Sequence, residues 1–432
     1  MVKEGYKEVR VGPKTKLIPE EWKVKKLKKV IKKRKGKRPN KLFDSKNGEN
    51  SIPYLSVNYL RGNDFPEWCS KNDDNKVEVK ENEILMIWDG SYSGNVFMGF
   101  NGALSSTMAR LKCEDDINNQ YLFYQLRNNF KIFQSTTIGT SVPHVAGKIF
   151  ENLNIPTPPK REQKKIASIL SSVDRSIEKT DEVIEETKEL KKGLMQELFT
   201  RGVSGNDLRL SPHENNDLYK NSYLGFVPED WIDYQISDIA ETDYGLNSAI
   251  DKTLSKGIKM ISVGNVNKDG TLDFDDVNYA IEDKISSEDI LLKGDILFNW
   301  RNGSKEHLGK TIYFDLNDEF THVGLLIRIR TNKNENIYSK FLYYFMRYIH
   351  FKQFFTRAKK QVNNTFNKTE LNNLQVFIPP LQEQKKIASI LSSVDAKLKK
   401  EEEYKAKLER LKKGLMQKLL TGEIRVNTDM EV

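Results

Sequence analysis

Apolar residues recur at alternating steps of three and four in two separate stretches: Leu170, Val173, Ile177, Ile184, Leu194 and Leu198, then Leu391, Val394, Leu398, Leu408, Leu415 and Leu419. That spacing is a heptad seam, and it predicts two long helices able to pair as a coiled coil. Pro158-Pro159 and Pro379-Pro380 mark their starts, and Thr200-Arg201-Gly202 and Thr421-Gly422 their ends. Thr180, Thr187, Lys191, Glu401, Lys405 and Lys412 interrupt the seam, and Leu190, Tyr404 and Leu411 are expected to substitute there. The stretches are copies: EQKKIASILSSVD stands at 162–174 and 383–395, and KKGLMQ begins at Lys191 and Lys412, each displaced by 221 residues.

Ahead of each helix, short apolar runs punctuated by Gly and Asn predict strands and turns, and the aromatic-rich segments 119–133 and 338–355 predict helices. The two regions share faint matches. IPEEW (18–22) answers VPEDW (227–231), Ile84-Leu85 and Trp88 answer Ile296-Leu297 and Trp300, and YLFYQLR (121–127) answers FLYYFMR (341–347). The expected fold class is α+β: two mixed α/β domains, 1–159 and 204–380, joined by helices 160–203 and 381–425 and followed by a tail, 426–432. Each helix starts where a globule stops. Pairing along the seams therefore requires an antiparallel coil with a globule at each end and a pseudo-twofold axis.

The 432 residues, 38% of them hydrophobic, suit two or three domains and no membrane span. The opening MVKEGYKEVR has no apolar run, so a cytoplasmic location is expected. Only two cysteines occur, Cys69 and Cys113, which argues against a disulfide framework. The formal charge of +9 favours a polyanionic partner.

The helix signatures, PPKREQKKIASIL with KKGLMQELFTRG and PPLQEQKKIASIL with KKGLMQKLLTGE, resemble those of the specificity (S) subunit of prokaryotic type I restriction-modification systems. The resemblance spans essentially the whole chain. It implies two target recognition domains reading a bipartite, asymmetric site in double-stranded DNA, with the coil setting the spacer. It also implies two methyltransferase subunits carrying S-adenosylmethionine, two ATP- and Mg-dependent restriction subunits (translocase-nucleases), and no catalysis or bound cofactor in this chain.

Residues 23–41 hold twelve Lys or Arg and no acid. Such a run either grips phosphate or is a solvated helix face over Val24, Leu27, Val30 and Ile31; its second half, Lys32, Lys33, Arg34, Lys35, Lys37 and Arg38, is the stronger phosphate candidate. Base-reading candidates are turn residues able to form paired hydrogen bonds. In the first globule these are Ser91, Tyr92 and Ser93, beside Asp89, and Thr137, Ser141 and His144. In the second they are Trp300, Arg301, Asn302, Ser304 and Lys305, and Arg357, Lys359, Lys360, Gln361, Asn363 and Asn364. Within the identical strings, Gln163, Lys164, Gln384 and Lys385 are read as exposed contacts for two copies of one partner.

No catalytic pattern emerges. GSKEHLGKT (303–311) has one residue too many for a phosphate loop and reads as a turn before a strand. The five histidines lack zinc-ligand spacing, and Glu78-Val79-Lys80 after Asp73 or Asp74 has no second-globule equivalent as a nuclease core.

Overall fold

The computed structural model describes residues 4–139, 142–205, 207–247, 256–267, 271–275, 277–281, 285–301, 308–357 and 365–427. It divides into two units, residues 1–182 with 402–432 and residues 183–401. The first contains a sheet ordered Ile31–Lys35, Met108–Cys113, Ile84–Ile87, Val96–Phe97, and a second ordered Glu67–Ser70, Ser51–Leu55, Gly102–Leu104, Glu78–Val79. The second unit repeats this plan. Its sheets run Glu241–Tyr244, Leu326–Arg330, Ile296–Asn299, Thr311–Tyr313, and Asn278–Ala280, Ile258–Ile261, Phe320–His322. In each unit the smaller connection is the same parallel pair, Ser51–Leu55 with Gly102–Leu104 and Ile258–Ile261 with Phe320–His322.

The aromatic-rich segments are helices Asn119–Asn128 and Ser339–Phe351. Each packs on its first sheet: Leu122 and Leu126 share a core with Ile84, Met86 and Leu111, and Phe341 and Phe345 share one with Ile296, Phe298 and Ile329. Alternation along the strands supplies the apolar face, and the helical period supplies its cover.

The seam residues lie on helices Lys160–Arg201 and Leu381–Leu419, and each unit holds the start of one and the end of the other. In the first unit Lys412 pairs with Asp174, and Lys405 with Asp181 at 2.6 Å. Seven residues forward on one helix meet seven back on the other, so the segments are antiparallel. Lys191 with Asp395 repeats the first of these pairs in the second unit. The expected seam substitutes are corrected: Leu190, Tyr404 and Leu411 are exposed, whereas Thr180, Thr187 and Lys191 are buried. Both threonine hydroxyls donate to the carbonyl four residues back, to Ser176 and Val183, which lets them occupy apolar positions.

The identical strings are explained within each unit. Gln163 is buried; its Oε1 accepts from Asn118 N at 2.8 Å, and its Nε2 donates to Asp116 O and Pro158 O at 3.1 and 2.9 Å. Gln384 is buried likewise and bonds Tyr338 N, Asn336 O and Pro379 O, each at 2.8 Å. Beside them Glu162 accepts from Trp22 Nε1 at 3.1 Å and from Arg425 at 2.7 and 3.0 Å. Its repeat Glu383 accepts from Val203 N and Arg209. Gly422 and Gly202, both at positive φ, end the helices against Trp22 and its repeat equivalent Trp231, both buried; a Cβ would lie 3.0 Å from Trp22 and 3.1 Å from Trp231. Asp174 and Asp395 close the motif by accepting from Tyr124 and Tyr344, each at 2.7 Å. Burial drives both phenol pKa values up, and the carboxylate partners add to that shift.

The expectation that Gln163 and Gln384 are exposed partner contacts is therefore corrected: they fasten a globule to the start of its helix. Lys164 and Lys385 are exposed. The helix alternative for the basic run is corrected too. It forms strand Lys23–Lys26, a short 3₁₀ turn at Leu27–Lys29 and strand Ile31–Lys35, with Leu27, Val30 and Ile31 buried.

Candidate nucleic-acid interface

The strand Ile84–Ile87 leads into a tight turn. Ile87 N donates to Asn95 O, Gly94 N to Ile87 O and Ser93 N to Gly90 O. Gly94 has φ +94°, and a Cβ there would lie 2.7 Å from Phe133 Cβ, so the turn requires glycine. The loop carrying His144 is pinned beside it by Val145 N to Trp88 O at 2.9 Å and Gly90 N to Pro143 O at 2.8 Å. The two candidate loops of the first globule thus form one surface.

The end of the basic strand joins that surface. Lys35 Nζ reaches Asp89 Oδ2 at 2.6 Å, and His144 Nδ1 lies 2.8 Å from Asp89 Oδ1. Lys33 Nζ stands 3.9 Å from the centroid of the Trp88 ring, and the Arg61 guanidinium 3.5 Å from that of Tyr92. Lys32 pairs with Glu114 at 3.3 Å, whereas Arg34, Lys37 and Arg38 are exposed with no side-chain ion pair or hydrogen bond among the described residues. Ser91 and Tyr92 are exposed and Thr137 half-buried. Ser93 is only 2% exposed, so the expectation that it contacts DNA is corrected.

In the second globule Phe366 N donates to Trp300 O at 2.8 Å, the counterpart of the Val145–Trp88 bond, and Arg301 bridges to Thr365 where Asp89 bridges to His144. Trp300 Nε1 donates to Gly324 O at 2.6 Å, and Tyr244 meets the indole edge to face at 5.3 Å. Arg301 is exposed. Arg357 closes the short helix Phe354–Arg357. Ser141, Asn302, Ser304, Lys305, Lys359, Lys360, Gln361, Asn363 and Asn364 lie outside the described residues.

Strand register shows that the chemistry is inverted between the globules. Lys32, Arg34 and Lys35 oppose Lys112, Arg110 and Ala109 on the central strand; at the matching positions Glu241, Asp243 and Tyr244 oppose Arg330, Arg328 and Ile327. A basic edge strand in one frame is acidic in the other. Asp243 is engaged by Arg328 at 3.1 Å and Lys368 at 3.0 Å.

The family described as "Type I restriction modification DNA specificity domain" matches residues 19–189 and 228–410. The chain is 34% identical to the type I restriction enzyme MjaVIII specificity subunit of Methanocaldococcus jannaschii, over 95% of this chain and 94% of that protein. It belongs to the type I specificity subunits. The EcoBI specificity subunit of Escherichia coli is 22% identical over 88% of this chain and 81% of its own length. The fold matches the crystal structure of the S subunit from M. genitalium with TM-score 0.62 at 18% identity, covering 92% and 96% of the two chains.

As a type I specificity subunit the chain supplies DNA-recognition domains, and catalysis resides on partner subunits. Among the described residues no group of three or more His, Cys, Asp or Glu is placed to hold a metal ion, and no helix is long and apolar enough to cross a membrane. Asp73 of the nuclease-like segment accepts from Asn75 N within its own turn and from Asn40 N of a segment 33 residues upstream. Sequence reasoning missed Arg61. Its partner Tyr92 lies 31 positions away, outside any local motif.

Proposed function

We propose that this subunit reads a bipartite, asymmetric DNA target, one half-site per globule, and that its two long helices set the spacer and dock two methyltransferase subunits. One observation carries the reading: a single strand-and-turn frame occurs twice with opposite chemistry at equivalent positions, Arg34 against Asp243 and Asp89 against Arg301. A scaffold gains nothing from two unlike ends on one frame, whereas two readers need them. In the assembled system S-adenosylmethionine belongs to the methyltransferase subunits, and ATP and Mg to two restriction subunits. Docking of two identical partners is supported by Leu190 and Leu411, repeat equivalents that are 53% and 50% exposed. Lys164 and Lys385 are a second equivalent, exposed pair.

Methylation mapping of the complex tests the reading. Exchanging residues 204–378 for those of a related subunit should change one half-site and leave the spacer alone. Inserting four residues into both helices, beside Ile184 and Tyr404, adds about 6 Å of rise, close to two base-pair steps of roughly 3.4 Å. That should lengthen the spacer and leave both half-sites unchanged. Native mass spectrometry should find two methyltransferase subunits per chain, and Leu190→Asp with Leu411→Asp should remove them. A swap that altered both half-sites would refute the two-reader assignment.

A further inference from the structure

Arg61 follows the short helix Val57–Leu60, and its backbone N–H donates to Val57 O and Asn58 O, so its Cα is fixed. The guanidinium carbon sits 3.5 Å from the centroid of the Tyr92 ring. Tyr92 belongs to the same hydrogen-bonded turn that carries Asp89 and borders His144. Both side chains are exposed, and among the described residues no carboxylate or carbonyl accepts from the guanidinium. An arginine whose face is taken by an aromatic ring keeps its N–H groups at the rim, aimed outward in a fixed fork. Lysines near by have no such fork: Lys35 is bound to Asp89, and Lys33 lies over Trp88.

We propose that Arg61, held on Tyr92, is a guanine-reading residue of the first globule, donating two hydrogen bonds to O6 and N7 in the major groove. This rests on that globule being a DNA reader. The fork matches the two acceptors of guanine, and stacking removes most of the rotamer freedom that a free arginine loses on binding. Tyr92 is the positioning residue. Cytosine and thymine offer no such acceptor pair, and adenine presents a donor in place of O6.

The test uses the full-length chain assembled with its methyltransferase subunit and a duplex carrying the motif mapped for the wild type. Each half-site guanine is replaced in turn by 7-deazaguanine, which lacks the N7 acceptor. Wild-type binding should weaken sharply at one guanine, and Arg61→Ala should weaken binding to the unmodified duplex about 5- to 150-fold while abolishing sensitivity to that substitution. Arg61→Lys should keep the salt dependence but lose the discrimination, and Tyr92→Ala should lose part of it at the same position. The mapped motif should relax at that one base. If Arg61→Ala weakens all sequences alike and lowers the salt slope by about one, the residue grips phosphate and the proposal is overturned. Equal sensitivity of wild type and variant to 7-deazaguanine also overturns it. Failure of the wild type to prefer any duplex would instead refute the reading on which the proposal rests.

Discussion

Arg34, Lys37 and Arg38 provide a direct measure of how the first globule holds DNA. All three are exposed and free of side-chain partners among the described residues, so replacing them by Gln removes charge without leaving a buried group unpaired. If each neutralises one phosphate, the log–log slope of affinity against salt becomes shallower by about 2.7, from roughly 0.9 per contact. Between 50 and 200 mM salt the wild-type advantage should then shrink about 40-fold. Fluorescence anisotropy of the complex on its mapped duplex, over that salt range, reads the slope directly. Glu241→Lys supplies the mirror experiment, because Glu241 holds the edge-strand position matching Lys32. It should steepen the slope by about one if the second strand faces the backbone in the same way. An unchanged slope in the triple variant would refute the phosphate role. Arg34, on the strand Ile31–Lys35, would then serve chiefly to blunt an exposed sheet edge.

Three further outcomes follow from the packing. Trp22→Phe removes a charge-assisted bond to Glu162, whereas Trp231 Nε1 is buried without a partner among the described residues, so Trp22→Phe should cost about 2 kcal/mol more than Trp231→Phe by amide exchange within each unit. Gln163→Ala and Gln384→Ala should each cost about 2–4 kcal/mol and expose the Asn118 and Tyr338 amides to exchange, while Lys164→Ala and Lys385→Ala stay within about 0.5 kcal/mol. His322 is buried, and burial followed by the Arg328 charge pushes its pKa down to about 4. The unfolded chain takes up that proton near pH 6.5 and the folded one does not, so stability should fall by about 3 kcal/mol as pH drops from 6.5 to 4; His322→Asn should remove that component in acid-unfolding titrations.

The long helices were legible because their signal is local: apolar spacing, proline starts and glycine ends all lie within a few turns of one another. Their observed bounds, Lys160–Arg201 and Leu381–Leu419, follow those marks. The same reasoning misplaced Leu190, Tyr404 and Leu411, because a heptad count cannot tell that Thr180 and Thr187 satisfy their own hydroxyls and can be buried. It also assigned Gln163 and Gln384 to the surface. Their bonding partners are backbone groups some 45 residues upstream, which no periodicity announces.

The amino-acid sequence by itself determined the duplication, the helix positions, the shared frame of the globules and the family, since repeated strings and short-range periodicities survive in one dimension. Only the tertiary structure decided what the duplicated residues do and where the two globules differ. Sheet register set Arg34 in the place that Asp243 takes in the second frame, and closure of the loops set Asp89 between Lys35 and His144. Strand pairing and burial join residues far apart along the chain, so charge inversion at an equivalent position becomes visible only when both sheets are formed.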